Sequence, residues 1–413
     1  MTPAAANGAV PSGAAPGAGS PPPHPLVTAN LVAQIAFGLI AMTICLPSMP
    51  QWGALLGAGQ AGVQFTFGGY LLAFGCLQVV YGPLSDRHGR RRVLVAGLVL
   101  ALAGSVLAAF AHDLPGLVGA RVVQGAGAAA GTVVGRASVQ DLFHGPQRTR
   151  VMAYIGMAMG LCPPAATIVG GQLHERFGWQ SNFVLVAALA LAMLAAAWRG
   201  LPATGARPPA RSHWLRDMLG AYARLAREPG FVLHVAVLAA TVATFYAFLG
   251  GAPLVLSSYG VGPSGVGVYI MAVPLSYIGG NYLTSRLVRR LGERLLMAIG
   301  QALTAAGIAL VILLGVAGTG SPLEFSLPLV LLGIGHGLLV PTCMAGTVGL
   351  VPALAGAAAG AAGLAQQLTG ALGGWAVGWV RHDGPVNLGL LMLGFTLCAI
   401  GAQAALHRRP RRG

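Results

Sequence analysis

Long apolar runs alternate with short polar segments from residue 26 to residue 406 of the chain. Twelve of these runs have about the 20 residues that a helix needs to cross the roughly 30 Å apolar core of a bilayer. They cover 26–47, 61–82, 93–111, 116–138, 149–171, 178–198, 231–251, 264–285, 294–316, 325–348, 353–380 and 385–406. Because lipid offers no partner for backbone polar groups, each run is predicted to be a helix. The pattern therefore predicts an all-α membrane protein with twelve transmembrane helices.

The composition supports lipid as the solvent of this chain. Of its 413 residues, 55% are hydrophobic and 8% are charged, and the mean hydropathy is +0.73. A soluble domain of this length could not cover such a core with polar surface. Membrane lipid is thus an expected partner, and the chain is expected to act as a monomer.

The basic residues are distributed unevenly. The net charge is +15, a value that would favour nucleic-acid binding in a soluble protein. All 24 basic residues are arginines, however, and 21 of them fall in alternate loops. The positive-inside rule then places both termini and the loop between the sixth and seventh runs in the cytoplasm of a bacterial cell, with the spans in the inner membrane. No nucleic-acid partner is expected.

Polar segments divide the chain into five parts. Residues 1–25 are rich in Ala, Gly and Pro and lack the features of a signal peptide, so we expect a disordered cytoplasmic tail. Residues 26–199 and 230–406 hold six runs each. Between them, 200–229 is expected to be a cytoplasmic linker, in which apolar residues at helical spacing predict an amphipathic helix on the inner leaflet. Residues 407–413 form a basic cytoplasmic tail.

The two sets of six runs resemble each other. Arg91 follows the second run and Arg290 follows the eighth, at a separation of 199 residues. A glycine pair in the fifth run begins at Gly170, and a second pair in the eleventh run begins at Gly373, at a separation of 203 residues. Such agreement indicates a duplicated six-helix unit. It predicts two pseudo-symmetric six-helix bundles that rock about a central site.

The loop after the second run, GPLSDRHGRRR at 82–92, resembles the signature loop of the major facilitator superfamily. Gly82 and Gly89 permit a tight reversal, and Asp86 can accept hydrogen bonds at a helix N-terminus. Arg90 and its neighbours suit an anionic leaflet. The resemblance implies a gate on the cytoplasmic side, where Asp86 joins the two bundles. The alternative is a cluster of charges that only stops membrane insertion.

The fourth run contains LVGARVVQG at 117–125, which is similar to the second motif of this superfamily. A charge in mid-membrane costs about 2.5–3.5 kcal/mol, so Arg121 is expected to bind substrate and to take part in coupling. A structural donor to neighbouring carbonyl groups is the alternative. Further along, Arg136 and Asp141 resemble residues of the bicyclomycin and chloramphenicol resistance subgroup, Bcr/CflA. An Asp86–Arg136 contact is expected at the inner gate.

Small residues and prolines mark the fifth run. Gly160, Pro163, Gly170 and Gly171 resemble the third motif of the superfamily, which is associated with export. Small residues let helices approach closely, and proline frees a carbonyl group and bends its helix. These residues are therefore expected to belong to the gate between the bundles. Close packing without any bearing on export is the alternative.

Substrate contacts are expected from polar and aromatic residues at mid-span, on helices that line the central cavity in this superfamily. In the subgroup the first run usually carries an Asp, where this chain has Thr43. With Thr43 and Arg121, the predicted set comprises Gln34, Tyr70, Phe74, Phe245, Tyr246, Phe248, Tyr277 and Asn281. The alternative is that the aromatic residues serve packing alone.

All nine carboxylates lie in predicted loops or at the ends of spans. A proton carrier must titrate while it faces the cavity, and His336, between Gly335 and Gly337 in the tenth run, fits that description best within the spans. A packed core histidine is the simpler interpretation of His336. Asp86 and Asp141 are the next candidates, and transport without proton coupling is the third possibility.

These features predict a secondary transporter that exports a small, largely apolar, neutral or anionic compound in exchange for protons. Uptake of a small metabolite on the same fold is the alternative. An enzyme is not expected, because the spans carry neither a nucleophile with its base nor an HExxH metal motif. The chain also lacks the GxxxxGK motif of ATP-binding loops, and its five cysteines have no metal-ligand spacing, so no cofactor or metal is expected.

Overall fold

The computed structural model describes residues 25–143, 145–201, 214–318, 320–351 and 354–408, and regular structure within these ranges is helical throughout. The helices are α1 (Pro25–Thr43), α2 (Met49–Leu55), α3 (Gln60–His88), α4 (Arg90–Ala109), α5 (Leu114–Leu142), α6 (Gly145–Phe177), α7 (Gln180–Gly200), α8 (Trp214–Ala226), α9 (Pro229–Ser258), α10 (Pro263–Ile270), α11 (Ala272–Ala317), α12 (Pro322–Ser326), α13 (Leu329–Gly349), α14 (Ala355–Val377) and α15 (Pro385–His407). The predicted all-α membrane fold is confirmed. Most of the predicted tails, and residues 202–213 of the predicted linker, lie outside the described residues.

Ten described segments are long and apolar enough to cross a membrane. One of them, Pro263–Ala317, contains α11, whose 46 residues would extend about 69 Å as a straight helix. Gly292 interrupts α11 with φ 74° and ψ 161°, so this segment provides two crossings separated by a turn. A further helix of 23 residues, α14, is rich in alanine and glycine. The described helices are thus consistent with the predicted twelve crossings.

The helices form two groups, α1–α7 and α9–α15, which share a turn at corresponding positions. α3 is followed by Gly89, whose φ is 90°. The corresponding helix of the second group is the first part of α11, which ends at Gly292. Both turns therefore place glycine in backbone conformations that other residues rarely adopt. The two turn glycines are separated by 203 residues, the same separation as between Gly170 and Gly373.

Close backbone contacts hold each group together. In the first group, α5 packs against α1, α3 and α4. A Cβ atom on Gly131 of α5 would overlap the backbone carbonyl of Gln34 in α1, so glycine is needed for this approach. In the second group α13 packs against α11 in a similar way, since a Cβ on Gly280 would lie 2.9 Å from Gly337 Cα. Such contacts bring the carbonyl groups of one helix within reach of side chains on the next.

The two ends of the bundle are named here by their arginines. The arginine-rich end is the one where α1 begins and α15 ends, and it includes Arg90, Arg150 and Arg294. The arginine-poor end carries Arg176, in the last turn of α6, and Arg381, in the turn before α15.

The helix that precedes the second group, α8, packs against α9 and α14 at the arginine-rich end. Leu225 of α8 is 1% exposed and shares a buried cluster with Phe231 and Ala358. Leu219 lies on the other side of α8 and is exposed. The described part of the predicted linker is thus attached to the second group through its apolar face.

Candidate functional site

Arg121 lies about two turns from the start of α5 and is fully buried, at 0% exposure. Its Nη1 donates to Ala41 O at 2.8 Å, its Nη2 donates to Met42 O at 3.2 Å, and its Nε donates to Thr66 O at 3.4 Å. These acceptors are backbone carbonyls of α1 and α3, which the small residues of α5 allow to come close. Its guanidinium carbon also lies 4.4 Å from the centroid of the Tyr70 ring.

Neutral side chains complete the surroundings of Arg121. Arg121 also donates to Gln124 Oε1, and Gln124 Nε2 donates to Ser105 Oγ of α4 at 2.8 Å. The Tyr70 hydroxyl donates to Gly38 O of α1 at 2.7 Å. Four helices, α1, α3, α4 and α5, are therefore linked through one buried charge. The contacts described for Arg121 come from the first group of helices, so they favour a role in positioning these helices.

The other predicted residues of α1 and α3 are also enclosed. Gln34 is 0% exposed and donates to Met193 O of α7 at 2.9 Å. Thr43, which stands where the subgroup has Asp, is 0% exposed and donates to Leu39 O at 2.8 Å. Phe74 stacks on Tyr70 with the ring centroids 5.9 Å apart. Thr43 also donates to Pro163 O of α6 at 3.4 Å, and the Phe74 ring lies against Gly38 of α1, so these side chains join helices within the first group.

The two groups meet at a neutral cluster of aromatic and amide side chains, here called the junction cluster: Gln64 and Phe67 of α3, Tyr246 of α9 and Gln367 of α14. The ring centroids of Phe67 and Tyr246 are 6.0 Å apart, and the Tyr246 hydroxyl donates to Gln367 Oε1 at 3.3 Å. Gln64 Nε2 donates to Gly250 O across the groups at 3.2 Å. Of these four residues, only Tyr246 belongs to the predicted set.

Sequence reasoning missed Gln367, although a signal was present. Gln366 and Gln367 are adjacent amides in the middle of an apolar helix, and polar residues within a span are functional candidates by default. Their contacts differ. Gln367 lies against Gly75 of α3, whereas Gln366 Nε2 donates to Ala362 O within α14 at 3.2 Å. Gln366 Nε2 also lies 3.7 Å from Met344 Sδ of α13, so Gln367 contacts the other group and Gln366 contacts residues of its own group.

The remaining predicted residues of the second group are less enclosed or serve packing. Phe248 is 1% exposed and packs against Phe325, with the ring centroids 6.4 Å apart. Phe245 is partly exposed and lies 5.7 Å from the Tyr246 ring centroid. Tyr277 and Asn281 are partly exposed on α11, where their backbone atoms contact Gly337 of α13.

His336 is buried in α13, with 4% of its side chain exposed. Its Nε2 has no hydrogen-bond partner among the described residues. The glycines on either side contact α11, since a Cβ on Gly337 would lie 2.6 Å from Tyr277 O and one on Gly335 would lie 2.5 Å from Gly300 O. Leaving a buried ring nitrogen without a partner costs free energy. His336 is therefore a candidate to bind a proton or a ligand in another conformational state of the transporter.

Charged residues of the signature loop form a network within the first group, at the arginine-rich end. Arg90 Nη2 lies 2.6 Å from Asp86 Oδ1, and Arg90 Nε lies 3.0 Å from Asp141 Oδ2. Arg136 is exposed and lies against Met159, with Nη2 3.3 Å from Sδ. Among the described contacts, Asp86 and Arg136 are not brought together, because Arg90 is one turn from Asp86 and pairs with it.

The small residues of α6 lie along contacts with other helices. Gly160 faces α11, since a Cβ there would lie 2.7 Å from Ile278 Cδ1. Gly171 meets Pro263 at the start of α10, and Gly170 meets Ile44 after α1. The Pro163 carbonyl accepts a hydrogen bond from the Thr167 hydroxyl at 2.8 Å. Gly82 of α3 lies near α5, with a Cβ position 3.9 Å from Val133.

A cavity of about 810 Å³ lies between α1 and α6 in the arginine-rich half of the first group. Side chains of α1, α6 and α7 line it, and most of them are aliphatic. None of the predicted substrate-binding residues belongs to the lining that is described. Sequence patterns did not indicate this cavity, because it results from the divergence of α1 and α6.

The described residues contain no group of three His, Cys, Asp or Glu side chains that could hold a metal ion. The five cysteines are free thiols, two of them buried at Cys45 and Cys343.

Comparison with known proteins identifies the family. The sequence profile of the Major Facilitator Superfamily matches residues 31–374. The chloramphenicol resistance protein of Pseudomonas aeruginosa is 27% identical over 327 residues, which cover 78% of this chain and 77% of that protein. Multidrug resistance protein D of Escherichia coli is 28% identical over 334 residues, which cover 79% of this chain and 82% of that protein.

Solved structures agree with this result at the level of the fold. The nucleoside transporter NupG superposes with a TM-score of 0.74 at 14% identity, covering 93% of this chain and 99% of that chain.

The bicyclomycin resistance protein homolog of Haemophilus influenzae is a further sequence relative, at 24% identity over 261 residues. The resemblance to the bicyclomycin and chloramphenicol resistance subgroup is thus confirmed, as is the prediction of a transporter and not an enzyme. The chain belongs to the major facilitator superfamily of membrane transporters.

Proposed function

We propose that this transporter exports small, largely apolar compounds that are neutral or anionic, by proton antiport with alternating access. The proposed substrate path lies between the two groups of helices. Supporting this direction of transport, two curated relatives are named for resistance to chloramphenicol and to multiple drugs. The third motif, around Gly160 and Pro163, is associated with export in the superfamily.

The junction cluster is the observation that carries the proposed substrate class. Gln64, Phe67, Tyr246 and Gln367 offer aromatic faces and amide groups at the meeting point of the two groups, and they carry no charge. Neutral aromatic and amide groups favour a neutral, partly apolar ligand, which loses little hydration on binding. A cation would find no carboxylate among these four residues.

Alternating access is supported by where the groups are joined. The hydrogen bond from Gln64 to Gly250 lies toward the arginine-poor end, and so does the one from Ser264 N–H to Glu175. Breaking such contacts at one end and forming others at the opposite end would expose the junction cluster to each side in turn. We propose that the arginine-rich end faces the cytoplasm, in accord with the positive-inside rule.

His336 is the proposed proton carrier. It lies in a helix of the second group, its Nε2 is buried without a partner among the described residues, and an imidazole can take up and release a proton. The carboxylates Asp86 and Asp141 are paired with Arg90 at the arginine-rich end, which leaves them less suited to carry a proton across the membrane.

A susceptibility screen tests this proposal. The chain is expressed in a host whose own pumps are deleted, and growth is measured against neutral, anionic and cationic antibiotics and dyes. Protection against neutral or anionic compounds is expected, and Gln367→Ala should reduce it. Gln366→Ala is the matched control, because the neighbouring amide contacts residues of its own group of helices. Protection confined to cations would contradict the proposed substrate class.

A further inference from the structure

The cavity between α1 and α6 has a polar mouth and an apolar interior. Its polar lining residues, Thr28, Gln147, Arg150 and Tyr154, lie near the start of α1 or of α6, at the arginine-rich end. Ile40 lines the deep end and follows Pro25 by fifteen residues, which places it about 22 Å further along α1. The cavity thus runs from the arginine-rich end toward the middle of the membrane.

Charge at the mouth is of one sign. Arg150 is the charged residue among the described lining, which includes no carboxylate. Its Nε donates to the Tyr154 hydroxyl at 2.7 Å, and its guanidinium carbon lies 5.7 Å from the Tyr154 ring centroid. Tyr154 therefore holds the guanidinium at the cavity, where the other donors of Arg150 point to an acidic ligand group.

The interior suits an apolar body. The deep lining is aliphatic or aromatic and includes Ala36, Phe37, Ile40 and Ala158, with Leu189 and Met193 of α7 as the far wall. A volume of about 810 Å³ is large enough for a drug-sized molecule. Burial of the apolar part of a ligand in this space removes it from water or lipid headgroups. The free energy gained is proportional to the apolar area that is buried.

We propose that this cavity binds an amphiphilic acid taken from the leaflet at the arginine-rich end. The acidic group lies at Arg150, Tyr154 and Gln147, and the apolar body extends toward Ile40 and Ala158. This orientation matches that of an amphiphile in the adjacent leaflet, so the ligand need not turn over to enter. The site is separate from the junction cluster, and its occupancy does not depend on the proposed export.

Photolabelling tests the site in the full-length protein reconstituted in lipid nanodiscs. The probe is a palmitic acid with a diazirine near the end of its chain, and hexadecanol with the same diazirine is its neutral counterpart. Mass spectrometry is expected to locate the acid probe on peptides from 25–40 and 147–162. Equal labelling of α4 and α15, which contribute nothing to the described lining, would overturn the proposal.

Two variants separate the acidic and apolar parts of the site. Arg150→Gln should reduce labelling by the acid about tenfold and leave labelling by the alcohol unchanged. Arg148→Gln is the matched control, because Arg148 is exposed two residues away and is absent from the lining. Ala158→Phe fills the interior and should reduce labelling by both probes. Equal labelling in the Arg150 and Arg148 variants, or unchanged labelling in monodisperse Ala158→Phe protein, would contradict the proposal.

Discussion

The Glu175 carboxylate accepts a hydrogen bond of 2.9 Å from the backbone N–H of Ser264, and so joins the last turn of α6 to the first turn of α10. α6 belongs to the first group of helices and α10 to the second. A carboxylate at a helix N-terminus is stabilised both by the free N–H groups and by the helix dipole. Gly171, one turn earlier, lets α6 approach Pro263 closely. This contact helps to close the arginine-poor end.

We expect Glu175→Ala to favour the state that is open at the arginine-poor end. Loss of the contact should cost about 1 kcal/mol, a several-fold change in the ratio of the two states. Pulsed EPR between spin labels at Phe177 and Ser258, in a background without native cysteines, would show this as more of the longer distance.

Asp113→Ala is the control for this prediction. Asp113 Oδ1 accepts a hydrogen bond from Gly116 N–H at 2.9 Å at the start of α5, so it has the same chemistry within a single helix. The distance distribution should stay unchanged in that variant. Identical distributions for both variants would show that Glu175 does not hold the two groups together.

Arg121 is predicted to act mainly on stability. Its replacement by Ala removes the donors that Arg121 supplies to the carbonyls of Ala41, Met42 and Thr66. The expected loss is roughly 2–5 kcal/mol of stability, measured as a lower melting temperature in detergent. Arg121→Lys keeps the charge but has fewer donors, so its melting temperature should lie between those of the wild type and the Arg121→Ala variant. A Lys variant with unchanged melting and no substrate binding would instead assign Arg121 a direct substrate role.

His336→Gln is predicted to abolish the dependence of transport on the pH gradient and to retain substrate binding. The amide cannot take up a proton near neutral pH, while its size stays similar to that of the imidazole. The measurement is substrate flux in proteoliposomes with and without an imposed pH gradient. If flux in the His336→Gln protein follows the gradient as in the wild type, His336 is not the carrier.

His382 provides a contrast in the turn between α14 and α15. Burial lowers the pKa of His382 to about 4, against the attraction of Asp383. The fold therefore favours the neutral ring. The contribution of neutral His382 to stability is fully present above pH 6.5 and is lost as the pH falls toward 4. His382→Asn should reduce this acid sensitivity, measured as melting temperature against pH, and leave the pH dependence of transport unchanged. Equal acid sensitivity in both proteins would exclude His382 as its source.

The helices could be predicted well because membrane crossing leaves a strong pattern of apolar residues. The number of residues that separates corresponding positions of the two halves was harder to predict. Arg91 and Arg290 gave a separation of 199 residues, whereas the turn glycines Gly89 and Gly292 are 203 apart, since the arginines of the two loops lie at different distances from the turn. The glycine conformation fixes the turn, and arginines at the headgroups tolerate a shift of one helical turn.

The candidate site could be predicted less fully. A buried charge was evident from Arg121, but its acceptors are carbonyls of α1 and α3, which all residues carry and no sequence pattern marks. The contact of Gln367 with Gly75 and the cavity at Arg150 depend on how neighbouring helices approach or diverge. That geometry is set by packing across the whole bundle, beyond the periodicity of any one helix.

The most direct test of the account is uptake of a radiolabelled neutral phenicol into inside-out membrane vesicles that contain the protein. With an acidic vesicle interior, accumulation of the phenicol is expected in the wild type and in Gln366→Ala. In Gln367→Ala the accumulation should be several-fold lower. Dissipating the pH gradient should abolish the accumulation. Accumulation in right-side-out vesicles only, or accumulation that is independent of the gradient and equal in the two glutamine variants, would contradict proton-coupled export through the junction cluster.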